Sequence, residues 1–144
     1  MAERIVKPRS ALMWVACILL AAAARQPAYA QQRVDVPIYI PPGDGQAATC
    51  SGGEVVGLDP RGDGFLSVLS TPGGRPHREI DRLYNGQEVR ICDQHGPWMG
   101  VVYDGRGRRM GDCKVDEERP VRWVYTGPCA YGWVHQRYVR ITAG

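Results

Sequence analysis

Three histidines, five cysteines and one short acidic run are the residues of this 144-residue chain best suited to chemistry. Covalent catalysis needs a nucleophile beside a base. His135 is the histidine that could meet a cysteine, Cys129, while His77 and His95 fall in or near expected turns. The preferred reading of His135 is a surface histidine close to a disulfide. Asp116-Glu117-Glu118 reads as a charge run in a loop, not as a positioned acid and base. Asp104, Asp112, Asp116 and Glu117 have oxygens enough for calcium, but no ligand spacing recommends it. A non-enzymatic chain with no metal and no cofactor is expected.

The segment LDPRGDGFLS, residues 58–67, also has the start of a calcium loop in it. Asp59, Asp63 and Gly64 fit the first, fifth and sixth positions of an EF-hand loop. Arg61 places a cation at the third, and Ser70 replaces the bidentate glutamate that closes such loops. Arg61-Gly62-Asp63 matches an adhesion tripeptide, but three residues in a turn arise readily by chance. The remaining reading is a Pro-x-Gly-Asp-Gly turn joining Leu58 to Leu66 across a first hairpin.

Aromatic residues are the stronger sign of function. Trp98, Tyr103, Trp123, Tyr125, Tyr131, Trp133 and Tyr138 crowd the second half of the chain. Their flat apolar faces and polar edges suit contacts to peptides and sugars. Trp98 and Trp133 are equally fitted to fill a core. Trp123 and Tyr125 either pack a loop onto the domain or offer a binding face.

These residues need elements to hold them. Residues 1–30 read as a secretory signal peptide: Lys7 and Arg9 precede an apolar run from Ala11 to Ala24, and Ala28-Tyr29-Ala30 is a small-x-small cleavage site. The run breaks at Arg25, short of the ~20 residues a spanning helix needs. Cys17 sits in mid-run without a lipoprotein context. Cleavage would leave no membrane span and would place the protein in the periplasm or outside the cell. The leader carries four of the 18 basic residues and one of the 15 acidic ones, so its loss removes the whole net charge of +3. No overall basic field is left to attract nucleic acid. Arg106-Gly107-Arg108-Arg109 is read as a solvated loop face.

Residues 31–48 form an extended arm or linker, alternating through Val34, Val36, Ile38 and Ile40 but interrupted by Pro37 and stopped by Pro41 and Pro42. Residues 49–144 then read as short strands near 54–58, 65–69, 87–93, 97–103, 133–135 and 138–142. Gly96-Pro97 turns the central hairpin, and Trp98 and Val102 share a face with Gly100 between them. Residues 78–84 allow one helical turn or a short extended piece. The density of turns points to a small all-β barrel. A long insertion, about 104–131, contains Cys113 and Cys129. Four cysteines in a small exported domain imply two disulfides, with three connectivities open. Closing the short loop as Cys113–Cys129 leaves Cys50 for Cys92, and this pairing is favoured.

In their order, FLSVLSTPGG, EIDRLYNGQEVRICDQHGPWMGVVY and GWVHQRYV resemble a bacterial SH3 domain. Ser70, Pro72 and Gly73 match the family's turn, Asn85-Gly86 and Val89 its strand entry, Trp98 its central tryptophan, and Gly132-Trp133-Val134 with Tyr138-Val139 its close. Leu69 and Thr71 stand where the family has arginine and glycine. The resemblance implies an SH3-like barrel that binds rather than catalyses, with a peptide, a partner protein or the peptide stems of peptidoglycan as ligand. The alternative is a disulfide-stabilised inhibitor or structural partner of an envelope enzyme.

Overall fold

In a computed structural model the chain is described over residues 34–43, 45, 49–73 and 76–144. The leader, its cleavage site and the first residues of the arm lie outside these residues. Among these residues nine strands follow one another: β1 (Tyr39–Ile40), β2 (Ser51–Val55), β3 (Leu66–Leu69), β4 (Glu79–Leu83), β5 (Glu88–His95), β6 (Trp98–Tyr103), β7 (Trp123–Val124), β8 (Ala130–His135) and β9 (Val139–Ala143). Among the described residues the only helical piece is a 3-10 turn, Gln136–Tyr138, so the protein is all-β as expected. Among the described residues no helix is long and apolar enough to cross a membrane.

Seven strands form one antiparallel sheet in the order β4-β3-β8-β6-β5-β2-β9, and β1 pairs with β7 in a separate two-stranded sheet. The large sheet does not close into the expected barrel. It has two ends, β4 and β9, yet Leu83 of β4 and Val139 of β9 belong to the same buried cluster. The sheet therefore curls around a core without joining its edges. A bulge interrupts the pairing beside each end, between Val68 and Leu69 next to β4 and between Gly52 and Gly53 next to β9.

The hairpin of β5 and β6 stands where alternation places it. Gly96 and Pro97 form its two-residue turn, and Gly96 takes φ +54°. A positive angle at the first turn position matches the right-handed twist of the strands, and glycine adopts it without strain. Alternate residues of β6 and β8 then feed two cores. Met99, Val101 and Tyr103, with Ala130 and Val134, face the cluster inside the curl. Val102 and Trp133 face a second cluster with Ile38, Ile40 and all four paired cysteines. The shared face read for Trp98 and Val102 is this outer one.

Residues 78–84 take the extended alternative, with Glu79–Leu83 as β4. Other expectations need correcting. The loop after β2 is not a hairpin turn, because β2 pairs with β5 and β9 whereas β3 pairs with β4 and β8. Strand β2 begins at Ser51 rather than near 54, since Gly52 and Gly53 carry no side chains to show a period. The arm is packed from Val36 onward rather than loose. Ile38 and Ile40 are fully buried, and the Trp133 indole N–H donates to the Val36 carbonyl at 2.9 Å.

Both disulfides join the favoured partners. Cys50–Cys92 links the start of β2 to β5, with Cα atoms 4.5 Å apart. Cys113–Cys129 ties the two ends of the insertion, with Cα atoms 5.2 Å apart.

Candidate functional site

Three parts of the chain meet at the mouth of the curled sheet. The loop from Gly57 to Phe65 forms one lip. The start of β6 and the end of β8 form the opposite wall, and the 3-10 turn completes it. Between them lies an open cleft of about 380 Å³ bordered by Asp59, Asp63, Phe65, Trp98, His135 and Tyr138.

Each side is fixed by local bonds. Asn85 anchors the base of the loop, accepting from the Leu58 N–H at 3.1 Å and donating to the Leu58 carbonyl at 2.9 Å. The loop tip is a turn in which the Gly62 N–H donates to the Asp59 carbonyl at 3.0 Å. The Asp59 carboxylate also accepts from the Arg61 N–H at 2.9 Å. Arg61 lies 3.8 Å from the same carboxylate in an exposed pair, a contact of little energetic weight. In the wall, Trp98 and His135 are register partners on β6 and β8. Their rings meet edge to face at 5.2 Å and 80°. Trp98 covers Gly73: a Cβ there would fall 2.4 Å from the indole nitrogen, and Gly73 also takes φ +76°. Only glycine fits both demands. Across the cleft, Arg82 stacks 3.9 Å over Phe65. Its guanidinium bonds Glu79 at 2.6 Å. The Glu79 carboxyl is held below its ordinary range by the Ser67 hydroxyl first and Arg82 second.

The aromatic candidates divide on this geometry. Trp98 and Tyr138 stand at the cleft. Tyr103, Tyr125 and Trp133 are fully buried and present no face to a ligand. Their apolar area is used in the two cores, and Tyr103 also donates to Asp81 at 2.8 Å. Trp123 and Tyr131 are half-buried and pack against Tyr125, at centroid distances of 6.4 Å and 5.1 Å. Arg119 lies 4.0 Å over Trp123. This group seats the insertion on the outer face of the sheet.

Tyr125 is the pin of that arrangement. Its hydroxyl donates to the Cys113 carbonyl at 2.8 Å and accepts from the Cys129 N–H at 3.1 Å, so one side chain bonds both ends of the disulfide loop. Burial pushes its pKa up from 10.0 to about 12. An unfolded tyrosine ionises near the ordinary value, while the folded one keeps its proton until about pH 12. The stability this adds is complete below pH 10 and is lost as pH rises through 12. Denaturant titrations across that window are expected to fall by about 2 kcal/mol, a drop absent in Tyr125→Phe. At neutral pH Tyr125→Phe is expected to be less stable by about 1–3 kcal/mol, because it strands a buried N–H and carbonyl.

The remaining chemical candidates do not assemble. Cys129 is bonded to Cys113 and is no thiol. His135 closes β8, the strand that starts just after Cys129, about 20 Å along at ~3.3 Å per residue. Among the described residues no three of His, Cys, Asp and Glu gather as a metal site. Arg106 folds back on Asp104, at 3.1 Å and 3.2 Å, and its hydrogen bond lowers that carboxyl's pKa. A second groove, of about 400 Å³, crosses β2, β5 and β9 and is slightly larger than the cleft. It offers no aromatic ring, and its Glu54 and Arg90 are engaged with Arg140 at 2.6 Å and Asp116 at 3.7 Å. The aromatic cleft is therefore the better site. That Asp59, Asp63, Phe65 and His135 share it with Trp98 and Tyr138 is invisible in the sequence, since only the sheet order brings them together. No family model matches the chain, and neither a curated protein nor a solved structure does.

Proposed function

We propose that this chain is an exported, non-catalytic, SH3-like binding module. Its ligand would be an extended peptide, presented by a partner protein or by the peptide stems of a cell wall. The cleft between the Gly57–Phe65 loop and the Trp98–His135–Tyr138 wall carries this reading. Aromatic faces with polar edges are what peptide contacts use. Two disulfides suit an oxidising compartment, and periplasm or extracellular space follows as part of the same reading. The test is retention of the full chain on purified peptidoglycan and on immobilised extended peptides. Wild type is expected to be held, and Tyr138→Ala and Trp98→Ala to lose about tenfold or more in affinity with an unchanged circular dichroism spectrum. Wild type passing through both matrices would end the proposal.

A second reading, a disulfide-tied inhibitor or structural partner of an envelope enzyme, is favoured by one observation. Val121 and Val124 are 67% and 40% exposed on the tied insertion, and a pre-ordered loop loses little entropy on docking. Loss of partner binding in Val121→Asp, with Tyr138→Ala still active, would select it over the first.

A further inference from the structure

His135 ends β8 and caps the 3-10 turn that carries Tyr138. Its Nδ1 accepts from the Arg137 backbone N–H at 3.2 Å. An accepting ring nitrogen carries no proton, so the neutral imidazole holds its hydrogen on Nε2. A proton arriving from solvent must enter at Nδ1. The imidazolium then has donors at both nitrogens and turns an N–H toward the Arg137 N–H. The turn loses its cap in the same step that the ring gains its charge. The backbone bonds that fasten the turn do not involve the ring: the Gln136 N–H donates to the Pro97 carbonyl and the Val56 N–H to the Tyr138 carbonyl, both at 2.9 Å, and the Val139 N–H donates to the Gln136 carbonyl. The change is thus confined to residues 136–138, and the sheet stays intact.

We infer that His135 is a proton-operated latch on the cleft: acidification releases the Arg137 cap and places a positive charge in the wall beside Trp98 and Tyr138, whose backbone stays fastened. This rests on the cleft being the ligand site. The charged groups nearby are Asp59 and Asp63, which border the same cleft from the loop. Arg137 on the turn lies over the Tyr138 ring, 6.0 Å from its centroid. Trp98 on β6 meets the His135 ring through an uncharged ring edge, and the Tyr138 phenol shares the same cleft lining. Gln136 is engaged with Gln94 at 3.0 Å. His95 on β5 turns its ring to Trp133, at 5.5 Å.

The latch can be read without any ligand, from amide signals of the full chain by two-dimensional NMR between about pH 5 and 8, where an ordinary imidazole changes charge. The Arg137 amide is expected to shift with the same midpoint as the His135 ring, with Tyr138 following. Exchange at Arg137, corrected for the intrinsic pH effect, should be about fivefold faster at the acidic end. His135→Asn keeps a capping oxygen but cannot titrate, so its Arg137 and Tyr138 signals should stay still. An Arg137 signal that ignores the His135 midpoint, or that moves equally in His135→Asn, overturns the latch. Retention on the matrices named above separates the two ideas. Equal retention at both ends of the pH range overturns the latch and leaves the cleft standing. Absence of retention at every pH overturns the cleft, while the Arg137 signal still decides the cap.

Discussion

Reducing both disulfides is expected to abolish the cooperative unfolding transition of this protein. The Cys50–Cys92 bond spans a sequence separation of 42 and Cys113–Cys129 one of 16. Chain-entropy reasoning assigns them about 4 and about 3 kcal/mol. Together these approach the whole stability of a small domain, about 5–15 kcal/mol. The two bonds should differ in what their loss exposes. Cys113→Ala with Cys129→Ala frees the insertion, and with it the Tyr125 pin and the β1–β7 pair, while the curled sheet keeps its own core. Cys50→Ala with Cys92→Ala unties β2 from β5 inside the sheet. Thermal melts of the two double variants, followed by near-ultraviolet circular dichroism, check this. A reduced wild type that still melts cooperatively near the oxidised temperature would contradict the argument.

Trp133→Ala should be the most damaging single substitution of an aromatic residue. Trp133 has no exposed surface. It lies in the outer cluster between the arm and the sheet. Truncating a buried aromatic costs about 3–5 kcal/mol. The substitution also leaves the Val36 carbonyl without its indole donor, so the arm loosens where the Asp35 and Val36 amides bond the Ser70 carbonyl at 2.8 Å and 3.1 Å. Urea denaturation is expected to show a loss of about 4 kcal/mol, and those two amides should exchange faster than in Trp133→Phe, which refills most of the volume. A cost below about 1 kcal/mol would mean that the arm is not held through this ring.

Where side-chain period and turn chemistry act together, the fold could be read in advance. Val89, Ile91, Gly96-Pro97 and Trp98 to Val102 mark the central hairpin because alternation and a glycine-proline turn agree. Where one signal is missing, alternatives stay open. β4 reads EIDRL, and its charged positions hide the period of an edge strand whose Leu83 alone is deeply buried. The arm's three prolines suggested a linker. Its isoleucines are held by burial against the outer face of the sheet, a tertiary fact with no local mark. The short cysteine loop was legible from spacing. The cleft was only half legible: Trp98 and Tyr138 stand out as aromatic, but Asp59, Asp63 and Phe65 looked like parts of a hairpin turn. Their place opposite the wall follows from β2 and β3 not being neighbours.

The two bulged ends of the sheet bear on how these molecules behave in a crowd. An uncapped sheet can lengthen by taking a strand from another molecule, and repetition of that step grows a fibre. At one end an incoming strand would meet Glu79, Asp81 and Arg82 on β4, beside the irregularity at Val68 and Leu69. At the other it would meet Arg140 and a register shift between Ile141 and Ala143. Neither rim is flat enough, or neutral enough, to template a copy of itself. A concentrated population can therefore keep its sheet open for the cleft without stacking into fibrils.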